Sequence, residues 1–136
     1  MEGFPLPATF TNAYFARIIA ARSQLSRLST WAYGLPPEQI LGATDLVTVN
    51  DVMRLARKVV SRELSAAFVR MLPRDQPVTV AAANLAVQQA KAAIEALSRR
   101  HGHFDRDVQE WLLPGERVYL EKRDGDEDED GTVLWR

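Results

Sequence analysis

Residues 79–102 read TVAAANLAVQQAKAAIEALSRRHG, and the fold class turns on this stretch. It is rich in alanine, the best helix former. Leu85, Ala86, Ala93, Ile94 and Leu97 mark its apolar positions. Thr79 can accept a bond from an N–H left orphaned in a first helical turn. Gly102 stands where helices commonly close. The stretch predicts a helix from Val80 to about His101. Its many small side chains permit close packing on a neighbouring helix.

Upstream, two more long helices are expected. Tyr14, Ile18, Ala21, Leu25, Leu28 and Ala32 recur at spacings of three and four, with Phe15, Ile19 and Trp31 widening the stripe. Thr9 or Thr11 can cap this helix. Gly34 ends it after Tyr33, and Pro36-Pro37 prevents its resumption. Pro37 to Leu41 is read as one further turn. Thr48-Val49-Asn50-Asp51 has the form of a capping box with Asp in place of Glu. It predicts a second long helix from about Val49 to Leu72, ended by Pro73. Val52, Ala56, Val59, Val60, Glu63, Ala67 and Met71 keep helical spacing, although Leu64 to Val69 also reads as a strand. Phe4-Pro5-Leu6-Pro7 is extended, since proline pushes its predecessor out of the α region.

Downstream, Asp105 is read as the cap of a short fourth helix carrying Val108, Trp111 and Leu112. Arg117 to Glu121 alternates like a strand, Asp124 to Gly131 is an acidic loop, and Thr132 to Trp135 is a second strand. The two runs predict a hairpin. A lone hairpin is marginal in water, so it should dock on the helices or on another chain. The expected architecture is mainly α: a bundle of three long helices, short extra helical turns and a C-terminal β-hairpin. The chain divides into an arm at 1–8, a helical domain at 9–113 and an acidic hairpin at 114–136.

The chain has 136 residues and 46% hydrophobic content, the size of one ordinary domain. It has no cysteine, which removes disulfides, thiolate metal sites and cysteine nucleophiles. Met1 to Pro5 lacks the basic and apolar regions of a secretory signal. No apolar run approaches the roughly 20 residues that span a bilayer. A cytoplasmic protein, or one assembled into a virion in a host cytoplasm, is expected, with no membrane partner.

The net charge of -1 conceals a division. Residues 1–103 carry 12 Lys/Arg against 7 Asp/Glu, whereas residues 104–136 carry 5 against 11. Arg54, Lys58 and Arg62 fall at i, i+4 and i+8, with Arg57 alongside. This stripe could meet an acidic protein surface or phosphates. Nucleic acid is the less favoured partner, because no aromatic platform accompanies the stripe. Asp126-Glu127-Asp128-Glu129-Asp130-Gly131 opens like a calcium loop, but the closing bidentate Glu would fall beyond Arg136. A solvated acidic turn is the preferred reading, and no metal is assigned.

His101, His103 and Asp105 could supply a metal or a base, yet such a run past a helix end is more simply a polar connection. No nucleophile elbow, P-loop, dinucleotide fingerprint or zinc-protease helix occurs. Glu63 lies near the apolar side of the second helix, where a carboxylate usually pairs with Arg. Trp31, Trp111 and Trp135 are read as core or interface anchors. No cofactor and no catalytic residue is assigned. Asp124, Asp126, Asp128, Asp130 and Trp135 join the basic stripe as candidate contact residues.

Two resemblances accompany this reading. Trp31-Ala32-Tyr33-Gly34-Leu35-Pro36-Pro37, then Val47-Thr48-Val49-Asn50-Asp51-Val52 and Leu55-Ala56-Arg57-Lys58, resembles a segment of insulinase-type zinc peptidases. The similarity spans about 40 residues and lacks that family's inverted zinc motif, so no protease role comes with it. The long helices, the Ala-rich stretch 80–101, Gly102-His103-Phe104-Asp105 and the terminal hairpin resemble small head–tail connector proteins of tailed phages. That resemblance is architectural. It implies a ring of identical subunits between portal and tail, contacts with other assembly proteins, and no catalysis. Opposite charges on separate elements suit head-to-tail contacts, which close into rings when the rotation permits. The expectation is a non-enzymatic, self-associating assembly protein. Its rivals are a regulatory or inhibitor protein acting through the basic face, and an enzyme built around Glu63 and the histidines.

Overall fold

The computed structural model describes residues 12–122. Three long helices form the body: α1 (Asn12–Tyr33), α2 (Ala43–Val59) and α3 (Val80–His101). A 3-10 helix, Leu64–Phe68, lies between α2 and α3. Strands β1 (His103–Asp105) and β2 (Glu110–Leu112) follow, and residues 116–122 form a last helix, α4. The chain is a mainly helical bundle with a small antiparallel hairpin toward its C-terminal end, the class the sequence leads one to expect, but the hairpin is built from residues 103–112, upstream of the expected 114–136.

Helix α3 begins and ends where the sequence places it. Thr79 accepts a hydrogen bond from the Ala82 N–H at 3.1 Å. Val80, Ala83, Ala86, Val87, Ala90, Ala93, Ile94 and Leu97 are buried, whereas Leu85 is exposed. The small residues let α1 and α2 approach one side of α3. On α1 the buried row is Phe15, Ile18, Ala21, Leu25, Ser29 and Ala32. Ser29 tolerates burial because its hydroxyl accepts from Gln88 Nε2 at 2.8 Å. The candidate caps Thr9 and Thr11 lie outside the described residues.

The α1–α2 connection is an ordinary turn rather than a helical one, with Gln39 N–H donating to the Pro36 carbonyl at 3.1 Å. It is stitched to the start of α3. Leu41 N–H donates to Val78 O at 2.9 Å, and Val80 N–H to Gln39 O at 2.8 Å. Two connections far apart in sequence thus satisfy each other's backbone groups.

Helix α2 differs from expectation at both ends. It starts at Ala43 after Gly42, six residues before the expected Val49. Asp45 in its first turn suits the helix dipole. Thr48 is inside the helix and its hydroxyl donates to the Thr44 carbonyl at 3.1 Å, so it does not cap. The helix ends at Val59 and not at Leu72. The β-branched pair Val59-Val60 is weakly helical. Turning there buries Val60, Val69 and Leu72, which one straight helix could not place together. The returning segment is pinned by buried Asn50. Its Nδ2 donates to Leu72 O at 3.1 Å and its Oδ1 accepts from Leu72 N at 2.7 Å.

No helix starts at Asp105. Its Oδ1 accepts from the N–H groups of Asp107 and Val108 at 2.9 and 3.2 Å, but Gln109, at φ 60°, reverses the chain. Phe104 therefore pairs with Trp111 across β1 and β2. Gly102 is needed here for room: a Cβ would collide with the Leu112 carbonyl. The expected strand at Arg117–Glu121 is instead part of α4. Leu113-Pro114-Gly115-Glu116 makes a type II turn, with Glu116 N–H donating to Leu113 O at 2.9 Å and Gly115 at φ 84°. The buried positions that follow, Glu116 and Tyr119, with half-buried Leu120, have helical spacing. Arg117 and Glu121 pair one turn apart at 2.9 Å. The expected partner strand, Thr132 to Trp135, lies outside the described residues.

Candidate interaction surface

Arg54, Arg57, Lys58 and Arg62 are all exposed. The stripe is shorter than its i, i+4, i+8 spacing implies, because α2 ends before Arg62. Arg54 pairs with Asp51 at 2.8 Å, both well exposed. Such a pair contributes about 0–1 kcal/mol. Arg57, Lys58 and Arg62 meet no carboxylate within ion-pair distance among the described residues.

Across residues 54–74 the sole acid is Glu63, and it faces inward. Glu63 follows α2 and lies outside any helix, contrary to its expected place on one. Its carboxylate meets His101 Nε2 at 2.9 Å and Arg100 Nε at 3.8 Å. The surface of this stretch is consequently basic: Arg70 and Arg74 are exposed too. Tyr14, whose hydroxyl donates to Val59 O at 3.2 Å, has its pKa raised by burial and then by the Glu63 charge. The acidic candidates Asp124, Asp126, Asp128 and Asp130, and Trp135 with them, lie outside the described residues, as does the calcium-like loop.

The histidines do not converge with Asp105. His101 is engaged by Glu63, and Asp105 receives Arg117 Nη1 at 2.7 Å. That guanidinium is the main reason the Asp105 carboxyl sits below its ordinary pKa. Among the described residues, no group of three His, Asp or Glu side chains could hold a metal ion.

A partly open cleft of about 530 Å³ separates α1, α3 and the hairpin. Arg22 lies at its floor and is fully engaged. It donates to Glu116 Oε2 at 2.7 Å, Ser98 Oγ at 2.8 Å and Trp111 O at 3.1 Å, with Glu110 at 3.5 Å. Glu116 is wholly buried and also accepts from Leu113 N–H at 2.9 Å. Arg99 stacks over Trp111 at 5.4 Å and Phe104 meets the same ring edge-on at 5.8 Å. Trp111 thus anchors the hairpin rather than a helix. The cleft's cations largely face carboxylates, so it has little surplus charge with which to hold an ion.

Two features of the basic region were not legible in the sequence. Leu64 and Phe68 read there as helix or strand interior, yet they are 74% and 60% exposed. Apolar residues in a short irregular connection carry no periodicity from which to assign a face. No family model, curated protein or solved structure matches this chain. No helix among the described residues is long and apolar enough to cross a membrane.

Proposed function

We propose that this chain is a non-enzymatic assembly protein whose copies join through the basic surface of residues 54–62 and the acidic segment 124–130. The carrying observation is the charge distribution. Arg57, Lys58 and Arg62 are exposed and without carboxylate partners among the described residues, while the sole acid of residues 54–74, Glu63, is turned inward. Six acids stand in 124–130 of the same chain. A surface on one copy and a different surface on the next make a heterologous contact, which generates a ring if the rotation closes. Within that reading, the chain acts as a ring subunit of the kind tailed phages place between head and tail. Charge complementarity here sets register and association rate more than raw affinity.

The test is the solution mass of the full chain by light scattering across a salt series. Screening shortens from about 10 Å at 0.1 M salt to about 3 Å at 1 M. The wild type should exceed the 15.3 kDa monomer at low salt and dissociate toward it at high salt. The exposed reversals Arg57→Glu, Lys58→Glu and Arg62→Glu, combined, should leave a monomer at every salt concentration. Assembly unchanged by the triple reversal would refute the reading.

A further inference from the structure

The 3-10 helix between α2 and α3 places apolar side chains beside the basic surface. Ser65 and Ala66 face inward: Ser65 Oγ donates to Ala93 O at 3.5 Å, and Ala66 packs on the core. Leu64, Ala67 and Phe68 face out. Arg62 and Arg70, both exposed, bracket this apolar group by two residues on each side. Asn50 binds Leu72 and so lays the returning chain along α2. The result is an exposed leucine and phenylalanine flanked in sequence by Arg62 and Arg70, with the adjacent Glu63 withdrawn to His101.

We infer that this surface receives residues 124–135 of a second copy of the chain. The segment is its chemical complement. Asp124 and Asp126 to Asp130 supply six negative charges with no base among them, and Val133-Leu134-Trp135 supplies an apolar end. Twelve extended residues reach about 40 Å. Arg54 to Lys58 span about 6 Å along α2 at helical rise, so one segment can cover them and still reach Leu64 and Phe68. The acids meet the arginines and Trp135 packs on the exposed pair, the pattern of an aromatic anchor inside a charged rim. The inference rests on the self-association reading and names the contact that reading uses.

Two full-length variants test it. Leu64→Ser with Phe68→Ser removes the apolar receptor at exposed positions, and thermal melts should stay at the wild-type midpoint. Val133→Ser, Leu134→Ser and Trp135→Ser together remove the apolar end of the segment. Burial of the exposed apolar area implies that each variant associates roughly 30-fold more weakly or worse. Each alone should therefore be monomeric at concentrations where the wild type is assembled. Mixed one to one, they should form a species of twice the monomer mass and nothing larger. The segment variant still offers an intact receptor and the receptor variant an intact segment, so one contact forms and the chain of contacts stops.

A mixture that stays monomeric, or a receptor variant that assembles like the wild type, overturns the inference and leaves the charge-based reading standing. A wild type that is monomeric at every salt and concentration overturns both. A wild type that does not self-associate but binds a single-stranded oligonucleotide or anionic vesicles through Leu64 and Phe68 assigns the surface to those partners and also overturns it.

Discussion

Replacing Glu116 with Gln tests how the hairpin and α4 are held to the bundle. Glu116 is wholly buried, and its two oxygens serve Leu113 N–H and Arg22 Nη1 at 2.9 and 2.7 Å. Breaking one side of a buried ion pair costs about 3–5 kcal/mol, because the other charge is left in low dielectric. Here the cost is smaller. The Arg22 side chain is 24% exposed and keeps Ser98, Trp111 O and the more distant Glu110. Glutamine can also keep the Leu113 bond through its oxygen, although its amide N–H then faces the donor-only guanidinium and forms no bond with it. A loss of about 2–3 kcal/mol is expected. At about 2.1 cal/mol/K per residue, unfolding entropy converts this to a fall in Tm of roughly 7–10 °C. Urea titration followed by circular dichroism measures the first quantity and a thermal melt the second. Arg22→Met with Glu116→Leu should cost clearly less than the sum of the single changes, since it leaves no charge unpaired. A loss under about 0.5 kcal/mol for Glu116→Gln, or strict additivity in the cycle, would refute this account of the pair.

Asn50→Ala should cost about 3 kcal/mol, because it strands both backbone groups of buried Leu72. Hydrogen exchange at Leu72 N–H should accelerate with it, and unchanged protection would count against the pinning role. Asp105 carries a depressed pKa, so its contribution to stability is complete above the ordinary value of 3.8 and is lost as pH falls through the lower folded value. Acid unfolding curves of Asp105→Asn should therefore be flatter than wild type below that pH and parallel to it above. A variant that keeps the wild-type acid slope would show the pairing with Arg117 to be energetically silent.

Local signals carried α1 and α3. Thr79 caps α3 and Gly102 closes it where the sequence places both, since capping and periodicity are short-range. The basic residues were equally legible, being exposed for the simple reason that unpaired arginines are costly to bury. Local patterning misled where two structures share one short pattern. Arg117 to Glu121 alternates, but Pro114-Gly115 supplies a type II turn and Tyr119 and Leu120 fall on one helical side. A Pro-Gly pair followed at once by Glu was the available signal for a helix start.

From sequence alone, this chain is a three-helix body with a charge division between its two parts. Capping, helical periodicity and charge counts each depend on neighbours within a few residues. Tertiary structure alone decided that α2 stops at Val59, that Leu64 and Phe68 face out, and that Arg22 meets Glu116. Those outcomes depend on groups 22 to 94 residues apart, Asn50 with Leu72 and Arg22 with Glu116, whose meeting is set by how the helices pack.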